Sequence, residues 1–381
     1  MFDVIVCGAG PAGSVAATVL ARGGARVLLL ERARFPRDKL CGDTINPGAI
    51  ALLRRLRLDV ALEAAVPVDG MIVSGEHGIQ VRGAYDPGLR GLALLRRDLD
   101  EALARAAVRA GVRVEEGVSV RAPLLDDERG GFPHVRGVVI AGRDGRDLRV
   151  PAPLVIAADG RRSRLALSLG LSRHPRRPRR WAVGAYFENV ADLSAFGEMH
   201  IRRGRYIGVA RVPSMLANVC VVVPRRADLD DPAGLLRREI ARDAGLRDRF
   251  GAARMVTPPS VLGPLAIDAA GAGVPGLLLA GDAAGFIDPM TGDGLRFAVR
   301  GGELAAECAL AALSGTLGAP YAQLARLRQR EFGAKWRFNR SVRRVVGRSL
   351  SVEAAGLAAV AAPWILRRAI RFAGDVPVSE L

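Results

Sequence analysis

Short apolar runs separated by turns rich in glycine and aspartate dominate the chain, and their spacing predicts alternating strands and helices. Val4–Cys7, with Phe2 before it, reads as a buried strand, because consecutive apolar residues bounded by turn signals leave no polar face. After a glycine-rich turn, residues 12–20 form a small-residue helix that ends at Gly23-Gly24, a pair suited to a C-cap. Residues 27–30 are a second buried strand, closed by Glu31, which completes a βαβ unit. An irregular loop over 32–45 leads to a helix opened by Asn46-Pro47, with Asn suited to the N-cap and Pro to the first turn. The pattern over 96–110 is helical and amphipathic and precedes a strand at 112–115. Residues 118–122, 135–140 and 148–150 read as antiparallel strands, and Leu154–Ala157 as another short apolar one.

From 181 to 223 the chain is rich in strands (181–187, 206–212 and 217–223), which predicts a second domain built on an antiparallel sheet. Residues 277–280 return to the first domain and precede a long helix over 295–313. Residues 321–372 are helical and rich in arginine. The expected division is a discontinuous first domain (1–70, 96–180 and 262–320), an inserted sheet domain (71–95 and 181–261) and a helical C-terminal region (321–381).

Composition narrows the class. The 381 residues are half hydrophobic, enough for two or three domains with a large core, and they exclude a disordered chain. Basic residues exceed acidic ones by 56 − 39 = 17, and Lys39 and Lys335 are the only lysines, so the basicity is almost wholly arginine. Cys7, Cys41, Cys220 and Cys308 lie far apart, which argues against a disulfide framework or structural zinc and for a reducing, cytoplasmic setting. The apolar start resembles a signal peptide, yet Asp3 replaces the basic flank and glycines interrupt the run. No apolar stretch is long enough for a spanning helix; the nearest, residues 354–366, contains Pro363.

Gly8-Ala9-Gly10-Pro11-Ala12-Gly13 is a dinucleotide fingerprint in its physical context, after a strand and opening a helix. Gly8 permits the tight turn, Gly10 lets a pyrophosphate approach the backbone, and Gly13 lets helix and strand pack closely. Glu31, at the end of the second strand, suits a ribose hydroxyl and disfavours a 2′-phosphate, leaving FAD or NAD. A second match to the pattern, residues 271–276, precedes a strand instead of following one and reads as a surface turn. Two later segments favour FAD. Asp159-Gly160 follows one strand, and Gly281-Asp282 follows another, leading through Pro289 to Gly292-Asp293-Gly294 at the start of the long helix. A carboxylate at a strand's C-terminal edge can hold a sugar hydroxyl, and a helix N-terminus can stabilise negative charge on a reduced flavin.

This set resembles the FAD-dependent enzymes of the para-hydroxybenzoate hydroxylase type, and within them the geranylgeranyl reductase-like branch. The matching residues are the glycine fingerprint, Glu31, Arg96 in Arg96-Arg97-Asp98-Leu99-Asp100, Asp159-Gly160, Gly281-Asp282 through Gly294, and the loop Pro36-Arg37-Asp38-Lys39-Leu40-Cys41-Gly42-Asp43. The resemblance implies an α/β fold: a discontinuous doubly wound FAD-binding (Rossmann-type) domain, an inserted antiparallel β-sheet substrate domain and a helical C-terminal cap. It implies that FAD is held by Gly8, Gly10, Pro11, Ala12, Gly13, Glu31, Arg32, Cys41, Gly42, Arg96, Asp159, Gly160, Gly281, Asp282, Pro289, Gly292, Asp293 and Gly294. It also implies NAD(P)H as electron donor and a hydrophobic small molecule as substrate, with reduction of a C=C bond; the alternative is an O2-dependent monooxygenase.

Two departures bear on the substrate. Residues 206–213 stand where geranylgeranyl reductases carry a Tyr-x-Trp-x-Phe-Pro motif, without the Trp and Phe, and Trp181-Ala182-Val183-Gly184 does not supply the Trp-x-Trp-x-Ile-Pro box of halogenases. Cys41, Asp43 and Asp293 are the candidate catalytic residues, although Cys41 also reads as a small buried hydrophobe and the two aspartates as solvated turn carboxylates. His77, His134, His174 and His200 are scattered and suggest neither a triad nor a metal site. The arginines at 173–180 and Arg340, Arg343, Arg344, Arg348, Arg367, Arg368 and Arg371 come with no nucleic-acid reading module. They read as a solvated face or, with Trp364, Ile365 and Leu366, as a peripheral membrane contact.

Overall fold

A computed structural model describes residues 1–76, 78–126, 133–142, 145–176, 179–346 and 362–374; His77, Arg348 and parts of the 173–180 and 354–366 stretches lie outside them. Its helices are α1 (Pro11–Arg22), α2 (Pro47–Arg55), α3 (Arg96–Arg109), α4 (Arg164–Ser168), α5 (Pro232–Arg242), α6 (Gly294–Leu313), α7 (Pro320–Val346) and α8 (Pro363–Gly374).

The first domain is built on a six-stranded sheet in the order Gly273–Val274, Leu277–Leu279, Leu154–Ala157, Val4–Cys7, Val27–Glu31, Arg113–Glu116. All pairs are parallel except the Gly273–Val274 edge, which folds back on Leu277 and Leu278. The second glycine-rich match is therefore an edge hairpin. Both faces of the sheet are covered, which is why its strands read as uninterrupted apolar runs. Val4, Val6, Leu29 and Ile156 pack against α1 and α6. Ile5, Cys7, Leu28 and Leu30 pack against α4 and a three-stranded sheet made of Val120–Leu125, Val135–Ala141 and Asp147–Pro151. Gly302 of α6 crosses α1 so closely that a Cβ would lie 2.2 Å from the Ala12 carbonyl oxygen.

The inserted domain carries an eight-stranded sheet that includes Trp181–Glu188, Leu216–Val223, Arg205–Val212, Phe196–Arg202, Gly70–Ser74 and Gln80–Ala84, in that order. The sheet is mixed, not wholly antiparallel as the sequence suggested, because Phe196–Arg202 runs parallel to Gly70–Ser74. The Phe196–Arg202 strand escapes the hydrophobic pattern for a physical reason: it buries Glu198 and His200, with Glu198 held by Arg249 at 2.7 and 2.8 Å and by His200 at 2.9 Å. One face packs Val183, Phe187, Ile207 and Val219 against α5. The other turns Ala182, Tyr206 and Val222 toward the first domain. α7 packs on α6, and α8 docks Ile370 where a Cβ on Gly83 would be 2.1 Å from it.

Candidate active site

A groove begins at the C-terminal ends of the parallel strands. Gly8 has φ +97°, and a Cβ there would lie 2.6 Å from the Ala158 carbonyl oxygen; one on Gly13 would lie 1.8 Å from that of Gly8. Only glycine allows this turn and this approach of strand and helix. The α1 N-cap, Gly10, makes no side-chain capping bond, so the first helical amides are left for a ligand. Glu31 is buried and accepts from the Ala9 and Ala33 amides at 2.8 and 3.1 Å. Asp159 accepts from the Arg164 amide through Oδ2 at 3.2 Å, while its buried Oδ1 has no partner; burial raises its pKa. Such an orphaned acceptor is costly unless a hydroxyl meets it.

The groove is continuous. Gly8, Gly10, Glu31, Arg32, Asp159, Gly160 and Asp282 line one reach of about 1200 Å³. Gly10, Gly160 and Asp282 also line the next, a chamber of about 1260 Å³, together with Pro11, Ala12, Cys41, Gly42, Arg96, Gly281, Pro289, Gly292 and Gly294. Glu31, Asp159 and Asp282 thus share one cleft. The uncapped helix, the orphaned Asp159 oxygen and the exposed glycine backbone fit an extended flavin dinucleotide.

Arg96 is buried and held by Asp100 through two bonds of 2.9 Å, while Arg37 reaches the same carboxylate at 3.0 Å. Burial opposes its charge, but Asp100 and the neighbouring Cys41 outweigh that and raise its pKa. Lys39 was quoted in the loop but not expected in the site. It lines both reaches of the cleft and has no hydrogen bond or ion pair among the described residues. Burial lowers its pKa, and Arg96 lowers it further, against the pull of Asp282.

Ala182, Met199, Tyr206, Gly208, Cys220 and Val222 roof the chamber from the sheet. Cys41 is half-buried in the chamber wall, not fully buried, and its thiol pKa is raised by burial against the effect of Arg96. Cys220 donates to the Cys41 carbonyl at 3.3 Å, and Asn218 donates to the same oxygen at 2.8 Å.

Both candidate carboxylates correct the solvated reading, because neither is exposed. Asp43 is fully buried at φ +56°, and its Oδ2 accepts from Tyr186 at 2.6 Å and Asn218 at 2.5 Å; its Oδ1 has no partner. Burial pushes its pKa up to about 7, against those two hydrogen bonds. Asp293 is turned away from the chamber. Its carboxylate takes Lys335 Nζ at 2.9 Å, Asn339 at 3.3 Å and Asn46 at 3.4 Å, and it does not cap α6. Asp293 therefore ties α6 to α7 and α2, while the α6 N-terminal backbone at Gly294 lines the chamber. Tyr186, Asn218, Lys39 and Lys335 escaped the sequence reading. Only Lys39 and Lys335 carried a signal, as the two lysines of an arginine-rich chain.

The chain belongs to the FAD binding domain family, whose model matches residues 1–319. It is an FAD-dependent oxidoreductase. It is 32% identical over 317 residues to a menaquinone reductase of Mycobacterium tuberculosis, covering 80% of this chain and 76% of that one. It is 33% identical over 335 residues to digeranylgeranylglycerophospholipid reductase 1 of Methanopyrus kandleri, covering 82% and 81%. The fold matches that of a flavin-dependent brominase with a TM-score of 0.85 at 20% identity, over 98% of this chain and 94% of that one. No helix of the described residues is long and apolar enough to cross a membrane.

Proposed function

We propose that the protein is a reductase that saturates a C=C bond of an isoprenoid or lipid-like substrate, with NAD(P)H as electron donor. The observation that carries this reading is the apolar chamber between the sheet roof and the Gly292–Gly294 backbone. The two curated relatives, both named as reductases, support it. FAD, when bound, would supply the hydride. The protein's part is to hold and to orient. Gly10, Glu31, Lys39, Arg96, Asp159 and Asp282 line the nucleotide groove and chamber, and the N-terminus of α6 favours negative charge at the chamber. Burial pushes the Asp43 pKa up to about 7 and leaves its Oδ1 without a partner, while Asn218 fixes the Cys41–Gly42 wall.

Anaerobic mixing with NADH and NADPH separately should bleach the flavin absorbance, and turnover of a prenylated substrate should give a product two mass units heavier. Oxygen uptake stimulated by substrate, with a hydroxylated product, would overturn the reading. A Cβ on Gly208 would meet only backbone oxygens, at 3.9 and 4.0 Å. Gly208→Trp should therefore fill the chamber and lower kcat/KM about a hundredfold while the flavin spectrum persists.

A further inference from the structure

α7 and α8 join one another beside the chamber. Phe338 and Phe372 meet edge to face at 5.1 Å, and the Ala373 carbonyl accepts from Lys335 at 3.0 Å. The inner side of α7 packs behind the site. Lys335 and Asn339 hold Asp293, and Val342 packs against the hydrophobic cluster that includes Tyr206 and Leu265, both of which line the chamber.

The outer side differs in kind. Arg337, Arg340 and Arg344 of α7 and Arg368 of α8 are exposed, and after Glu331 neither helix contains a carboxylate. None of these four arginines has an ion-pair partner among the described residues. Exposed arginines elsewhere are of both kinds: Arg26, Arg121 and Arg254 pair with Asp3, Asp147 and Glu188, whereas Arg109, Arg149, Arg225 and Arg237 have no ion-pair partner among the described residues. What sets this face apart is unpaired cations on carboxylate-free helix segments together with Trp364. Trp364, at the start of α8, is 64% exposed. Unpaired cations beside an exposed tryptophan match the chemistry of an anionic membrane interface, where arginines meet phosphates and indole settles at the headgroup level.

We propose that the outer face of α7 and α8 docks on an anionic lipid bilayer and holds the chamber wall behind it against the lipid that carries the substrate. The purpose of this docking rests on the reductase reading; the docking itself does not.

The test is co-sedimentation of the full-length, FAD-loaded protein with phosphatidylcholine vesicles with and without phosphatidylglycerol. Binding should require phosphatidylglycerol and fall with salt. Arg337→Glu/Arg340→Glu/Arg344→Glu should weaken it on the order of a hundredfold, and Trp364→Ala should weaken it several-fold. Arg237→Glu, on α5 across the sheet, should leave it unchanged. Retained flavin absorbance in each variant shows that the fold survives. Equal binding to neutral vesicles, no binding, or no loss in the triple variant would overturn the proposal. So would duplex DNA captured by this face while vesicles are not. Vesicle binding without a reduced product would instead sink only the reductase reading.

Discussion

Asp43 and Asp293 are equally hidden from water, yet their surroundings give them opposite roles. Asp43 accepts from two neutral side chains, the Tyr186 hydroxyl and the Asn218 amide, and its pKa rises to about 7 because burial outweighs them and the nearby Arg96 charge. Asp293 faces the Lys335 ammonium. Burial raises its pKa too, but the ammonium opposes this most strongly, so the carboxylate is an ionic joint between helices. Burial raises both pKa values; what differs is the partner in direct contact, an ammonium at Asp293 and neutral hydrogen-bond donors at Asp43, so Asp293 is the one that ties helices together by charge.

The largest expected effect comes from breaking the joint. Lys335→Met leaves a buried charge uncompensated and should cost about 3–5 kcal/mol of unfolding free energy. Adding Asp293→Asn should recover most of that loss in denaturant titrations. If the double variant is as unstable as the single one, Asp293 is not an ionic joint.

Asp43 gives the next effect, with a definite sign. Below its ordinary pKa of 3.8, folded and unfolded chains both hold the proton, and this site takes nothing from stability. Between 3.8 and about 7 only the unfolded chain ionises, so stability falls by about 1.4 kcal/mol per pH unit as pH rises. Above about 7 the deficit is constant, at roughly 4 kcal/mol. Asp43→Asn should remove this slope, so its advantage over the parent grows across that window and then levels off. Unfolding free energies measured across the window check it; parallel curves would make Asp43 an ordinary carboxylate.

The smallest effect sharpens the contrast. Tyr186→Phe removes one donor to Asp43, should cost about 1 kcal/mol, and should carry the stability slope to higher pH, because that hydrogen bond favours the charged form. The same substitution should not alter the effect of Lys335→Met.

The nucleotide groove was legible because its parts are local. Gly8, Gly10 and Gly13 are needed by one strand-turn-helix unit, and Asn46 caps α2 through a 2.9 Å bond to Ala49, as its place before Pro47 suggested. The solvated reading of Asp43 and Asp293 failed because burial depends on what lies opposite. Asn218 is 175 residues from Asp43, and Lys335 is 42 from Asp293. The strand Phe196–Arg202 was missed on similar grounds, since Glu198 is buried only because Arg249 neutralises it.

By itself the sequence determined the βαβ start, the short apolar strands of the parallel sheet and the glycine turn between strand and helix, because backbone geometry and hydrophobic period act over a few residues. Tertiary structure alone decided which acid has its pKa pushed up to about 7, which one joins helices through an ammonium, and which arginines remain unpaired. Those outcomes depend on local dielectric and on charges brought together from distant segments, and neither is written in any single stretch of chain.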